Sequence, residues 1–150
     1  EIENKNLQIS EAKKGDTFSL GNANCEFMTD SILDKNNLNL SSIITRITFG
    51  NTSFLFMGDA ETENEETRTW PETNVLKVGH HGSDTSSSEE FLKQISPKIA
   101  IISVGKDNDY GHPSDETIKK LQNLGTTIYR TDELGTIELI SDGNNITKNN

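Results

Sequence analysis

All three histidines of this chain fall in two short glycine-flanked segments, Gly79-His80-His81-Gly82-Ser83 and Tyr110-Gly111-His112-Pro113. A third segment, Gly58-Asp59-Ala60, sets a carboxylate in a similar place. Each follows a stretch that reads as a strand, so each puts an ionisable or metal-competent side chain at the rim of a sheet. A carboxylate that follows a closely turning glycine can bridge two cations; alternatively, Asp59 caps a helix over 60–68. In a tight turn His80 and His81 splay around one ligand, one ring taking metal or phosphate while the other packs; the alternative is a polar turn with one satisfied imidazole. Ser83, Thr85, Ser86, Ser87 and Ser88 add hydroxyls at the start of a helix, whose free N–H groups favour an anion, or else they only cap it. His112 reads either as a ligand or as an exposed loop histidine.

These segments need a sheet to hold them. Residues 41–49 alternate with a period of two, Ile43, Thr45, Ile47 and Phe49 on one side, which predicts a strand. Gly50-Asn51 is a hairpin turn, and 52–57 returns antiparallel. Residues 17–20 and 25–28 around Gly21-Asn22 give a weaker hairpin signal. Beyond Gly58 the order becomes helix over 60–68, strand over 74–78, helix over 87–95, strand over 98–104, helix over 114–124, and strands over 126–130 and 136–140. Ser86 or Ser87 with Glu89 or Glu90 matches a capping box for the second helix, and Pro97 stops it. Ile99, Ala100, Ile101, Ile102 and Val104 predict a strand apolar on both faces. Ile118, Leu121 and Leu124 share a helix face that Gly125 ends. The fold class is α/β, an α+β layered domain with a mixed sheet, ordered over about 15–142, with 144–150 a disordered tail.

The chain has 150 residues, the size of one domain. Hydrophobic residues make up 31% and mean hydropathy is -0.64. No apolar run approaches the roughly 20 residues of a spanning helix, so there is no membrane segment in this chain. The 24 acidic against 14 basic residues give a net charge of -10, which opposes non-specific binding to a phosphate backbone. Cys25 stands alone, excluding an internal disulfide and a cysteine-rich metal site. Residues 1–10 lack the basic-then-apolar pattern of a signal peptide, and the start at Glu1 leads us to expect residues upstream.

Phe54 to Glu61 (FLFMGDAE), Val75 to Ser83 (VLKVGHHGS), Tyr110-Gly111-His112-Pro113, and Tyr129-Arg130-Thr131-Asp132 with Gly135 together resemble the metallo-β-lactamase-like domain of ComEC-type competence proteins. Leu38 to Arg46 is similar to that family's Asn/Ser segment leading into a strand. The resemblance covers about 15–140. It implies the C-terminal half of an αββα sandwich, helices on one side of the sheet, with 1–143 a partial domain. The family's first metal motif, His-x-His-x-Asp-His, is absent, so the resemblance implies a missing N-terminal half of the same domain, either removed or never present.

By the resemblance, Asp59 matches the bridging carboxylate of a metal site and His112 the terminal histidine ligand. His81 resembles either that ligand or the separate histidine that contacts the scissile phosphate. The expectation taken forward is metal for Asp59 and His112, catalysis by His80 and His81, and substrate contacts from Ser83 and Ser86. Asn39, Ser41 and Ser42 stand where many members have another histidine. The implied function is a phosphodiesterase or nuclease linked to DNA uptake, with two divalent cations, zinc or manganese, in a complete site. DNA or a small phosphodiester is the implied partner, and the outer face of the membrane the implied location. This chain alone is expected to be inactive, because two or three ligands fall short of a tight site. A half sandwich also exposes apolar sheet, so a homodimer or pairing with the missing half is expected. The competing readings are a non-catalytic binding or structural module on the same fold, and an enzyme of small phosphoesters, lactones or thioesters.

Overall fold

The computed structural model describes residues 11–28, 34 and 36–149; residues 1–10 of the expected domain and Asn150 of the expected tail lie outside the described residues. Two hairpins open the fold: β1 (Thr17–Leu20) with β2 (Ala23–Phe27), and β3 (Thr45–Phe49) with β4 (Thr52–Phe56), joined by antiparallel pairing of β2 and β3. The second hairpin turns at Gly50-Asn51, as its sequence predicts. The chain then adds β5 (Val75–Lys77), β6 (Ile99–Ile102) and β7 (Thr127–Arg130) in parallel, giving a seven-stranded mixed sheet in chain order. Three α-helices lie along this path: a single turn α1 (Thr62–Glu65), α2 (Glu89–Ile95) and α3 (Asp115–Asn123). The turn α4 (Thr131–Leu134) leads to the small hairpin β8 (Leu139–Ser141) and β9 (Ile146–Lys148).

Period-two alternation sends Leu55, Leu76, Ala100 and Ile102 to one face, where Phe91, Leu92 and Ile95 of α2 and Leu121 of α3 bury them. Trp70 closes this core edge-on against Phe91. The other face carries Phe54, Phe56, Val75, Lys77 and Ile101, which with Ser103, Ile137 and Leu139 line an open cleft of about 480 Å³. Phe56 is 40% exposed there. β6 was expected to be buried on both faces; Ala100 and Ile102 are buried, but Ile99 and Ile101 are only half-buried, because the described residues supply helices to one face of the sheet.

Several boundaries differ from the sequence reading. The strand expected over 41–49 begins at Thr45, and Leu38–Ser41 forms a 3-10 turn capped by Asn37, whose side chain accepts from Asn39 N–H. The helix expected over 60–68 shrinks to α1, since that stretch has few apolar positions with which to dock further turns. The capping box at Ser86 or Ser87 does not form. Ser88 caps α2, its Oγ accepting from Phe91 N–H, and the buried Glu65 carboxylate accepts from Ser87 and Ser88 N–H at 2.6 and 2.8 Å. The expected tail is a strand instead. Asp142 Oδ1 accepts from Asn144 and Asn145 N–H to make the β8–β9 turn, and Asn51 N–H donates to Gly143 O, docking that turn on the first sheet.

Candidate functional site

The turn after β4, the turn after β5 and the loop before α3 meet at one rim of the sheet. Gly58 has φ +60, and a Cβ on it would press on the Ser42 side chain at 3.3 Å. This close approach lets Ser42 Oγ accept from Asp59 N–H at 3.1 Å, while His80 N–H donates to Gly58 O at 3.0 Å. His80 (φ 44, ψ 46) and His81 (φ 54, ψ 21) are both left-handed. A non-glycine residue in that region costs on the order of 1–2 kcal/mol, so two in succession mark a turn that its surroundings impose. Gly82, at φ +81, lies against Pro113, where a Cβ would come within 2.7 Å of the proline ring. Ser114 N–H donates to Gly82 O, and Thr117 Oγ1 donates to Ser83 O. The Asn108 side chain holds the backbone of His112 from both sides, at 2.7 and 3.0 Å. The His112–Pro113 peptide is cis.

Asp59 does not cap α1; Glu61 occupies the cap position. The Asp59 carboxylate, about half exposed, instead faces His81, with Oδ1 3.3 Å from Nε2. His81 Nδ1 lies 2.6 Å from Ser103 O. A carbonyl only accepts, so Nδ1 carries the hydrogen and the Nε2 lone pair of a neutral ring points at the carboxylate. Two acceptors face each other at that distance only with a cation between them, a proton on the ring or a metal. The chemistry of this donor pair therefore fits one edge of a divalent-metal site. Among the described residues no three His, Cys, Asp or Glu side chains surround one point.

His80 packs at 5.5 Å between ring centroids from His112 and 6.5 Å from His81. His112 stacks on the exposed ring of Tyr110 at 5.9 Å. Burial, followed by the neighbouring rings of His80 and His81, holds the His112 imidazole below its ordinary pKa, which favours the neutral ring. Ser83 and Ser86 are buried. Ser86 Oγ donates to Gly79 O and Ser83 O, and Ser83 Oγ accepts from Thr85 N–H. Both brace the histidine turn from beneath. At the start of α2 the Ser87 and Ser88 N–H groups are taken by the chain's own Glu65 carboxylate, and Phe91 N–H by the Ser88 cap.

Sequence reasoning missed Glu61. Its side chain, 10% exposed, lies between the Asn37–Ser41 turn and His80. Its place at the end of the segment Phe54 to Glu61, two residues after Asp59, was the available signal, and that is no evidence for a contact with residue 80. Burial pushes this carboxyl up, but hydrogen bonds from Asn39, Asn37 and Thr85, with His80 nearby, outweigh it and hold the group below its ordinary pKa. Lys77, on the cleft side of the sheet, is held low by burial against the opposing pull of Asp59, and its Nζ donates to Val78 O.

The model of the metallo-beta-lactamase superfamily matches residues 8–106. ComE operon protein 3 of Bacillus subtilis is 38% identical over 136 residues, 88% of this chain and 18% of that protein. Recombination protein 2 of Haemophilus influenzae is 37% identical over 103 residues, covering 67% of this chain and 13% of its own length. Competence protein ComA of Neisseria gonorrhoeae is 34% identical over 118 residues, with 75% and 17% covered. The chain thus spans less than a fifth of the length of these relatives.

Proposed function

The chain belongs to the metallo-β-lactamase superfamily, and from that premise we propose that it is part of a metal-dependent phosphodiesterase that acts on DNA during uptake. The observation that carries this reading is the Asp59–His81 pair at the sheet rim, with His81 Nε2 3.3 Å from a carboxylate oxygen and Nδ1 turned to Ser103 O. Asp59 and His81 are the metal ligands of this half. Of the two roles that the resemblance left open for His81, this takes the metal ligand, and it moves His112 from metal to the substrate side, because His81 faces Asp59 while His112 lies against His80 and Tyr110. When bound, a zinc or manganese ion supplies Lewis acidity to a phosphoryl group and acidifies water.

The chain's own residues do the rest. Ser103 O fixes the His81 ring so that Nε2 faces outward. His80 and His112 stand beside that edge, placed to hold a proton for the leaving oxygen. Tyr110 offers a flat exposed ring against which a base can stack. A positively charged centre at the rim offsets the acidic surface where a polyanion must approach. The remaining ligands come from the companion layer of the same domain, laid over the face of Phe54, Phe56 and Ile101.

The test is hydrolysis of DNA by the intact protein, compared with its Asp59→Ala and His81→Ala forms, alongside a small phosphodiester, a lactone and a thioester. DNA cleavage lost in both variants supports the reading; cleavage unaffected by Asp59→Ala overturns it. The two-ligand count favours one second reading, a binding module on the same fold. For that reading the intact protein binds DNA or a partner and cleaves no ester.

A further inference from the structure

We propose that Glu61 is a positioning residue that fixes the ring of His80 and makes the Asn37–Ser41 turn part of the site. The inference rests on the rim being a reaction site, and it adds a residue to which neither motif spacing nor family resemblance assigns a role. Glu61 is nearly enclosed, and among the described residues no Lys or Arg side chain pairs with its carboxylate. Its oxygens are filled one by one. Asn37 Nδ2 donates to Oε2 at 2.7 Å; Asn39 Nδ2 and Thr85 Oγ1 donate to Oε1 at 3.0 and 3.2 Å. His80 Nδ1 lies 3.2 Å from the same Oε1 and 3.2 Å from Thr85 Oγ1.

The hydrogen positions follow from these partners. The Thr85 hydroxyl spends its proton on Glu61, so both neighbours of His80 Nδ1 act as acceptors, and Nδ1 carries the hydrogen. On the other side of the ring Nε2 lies 3.4 Å from Asn39 Nδ2, a donor, which suits a lone pair. Glu61 therefore leaves Nε2 as the one nitrogen of His80 that exchanges a proton with a substrate, in the manner of a carboxylate orienting a catalytic imidazole. His81 has the same tautomer through Ser103 O, so the left-handed pair presents two Nε2 lone pairs from consecutive residues. The 3-10 turn contributes through Asn37 and Asn39, which place and saturate the carboxylate.

The experiment is ¹⁵N NMR of the histidine rings of this chain at a pH where they are neutral, for the wild type, Glu61→Ala, Glu61→Gln and Thr85→Ala. No turnover is required, so a failed hydrolase reading and a failed Glu61 assignment are told apart. The wild type is expected to show His80 as a single Nδ1–H tautomer. Glu61→Ala is expected to lose that single state, Glu61→Gln to restore it through its amide oxygen, and His81 to keep its own tautomer throughout. Thr85→Ala is expected to leave His80 unchanged. A wild-type His80 in the Nε2–H form, a tautomer that survives Glu61→Ala, or one lost in Thr85→Ala would overturn the proposal. If Glu61→Ala does not fold, the wild-type, Glu61→Gln and Thr85→Ala spectra still decide it.

Discussion

Single side chains at the rim differ in how far their neighbours commit them. Asp59 and His81 face each other half exposed, whereas Glu65 and Asp132 are fully engaged in structure. Removing Glu65 leaves two N–H groups at the start of α2 without acceptors, so Glu65→Ala is expected to cost about 2–4 kcal/mol in urea unfolding. Asp132 receives a forked pair of hydrogen bonds from Arg130 at 3.1 and 2.6 Å, and these hold its carboxyl below the ordinary value of 3.8. A depressed pKa contributes stability that is present above the unfolded pKa and is lost as pH falls through the folded one. Asp132→Asn should therefore lower stability by up to about 1 kcal/mol near neutral pH. The gap to wild type should close as pH drops below the ordinary carboxylate range; a gap that widens in acid would contradict the assignment. The three histidines were legible in the sequence because their type is scarce, and they and Asp59 because each lies in a glycine-containing segment after a strand. Glu61 was not, because its partners lie 22 and 24 residues upstream, at Asn39 and Asn37, and its role arises only once the 3-10 turn folds back.

At the scale of elements, both hairpins, the parallel strands and α3 follow from patterns local to the chain: alternation, Gly-Asn turns, and Ser114 ahead of a helical stripe. What escaped the sequence was set by distant contacts. α2 is capped at Ser88, where a carboxylate from α1 holds the N–H groups just before the helix, and the β8–β9 hairpin docks where Asn51 and Gly143 meet. The motif from Tyr129 to Gly135 turns β7 into α4, with Thr131 Oγ1 accepting from Val104 N–H and donating to Val104 O. The rim itself depends on Gly82 packing on Pro113. Gly82→Ala meets both a positive φ and a filled space, so a loss of about 1–3 kcal/mol is expected, with shifted His112 resonances while β1–β3 keep theirs. Unchanged His112 signals in that variant would show that the loop is not held through this contact.

For the whole molecule, one sheet face is closed by α2 and α3 and the other presents an apolar cleft. An aromatic face of this kind gains about 25 cal/mol per Å² when covered, so the isolated chain is expected to self-associate in sedimentation experiments at high concentration. Phe56→Ser should weaken that association with little effect on unfolding, since the ring is already 40% exposed. A wild-type chain that stays monomeric would count against the expectation. The net charge of -10 also predicts that the metal-free chain retains no DNA in a gel shift at physiological salt.

The central claim is that Asp59 and His81 form one edge of a divalent-metal site. It is tested most directly by adding Mn²⁺ to the ¹⁵N-labelled chain and following paramagnetic broadening, which detects even weak binding by two ligands. The His81 ring is predicted to broaden first and most strongly, with Asp59 alongside it, and Asp59→Ala is predicted to abolish the effect at the same metal concentration. Broadening centred on His112 that Asp59→Ala leaves intact, or no broadening at the rim at all, would contradict the account.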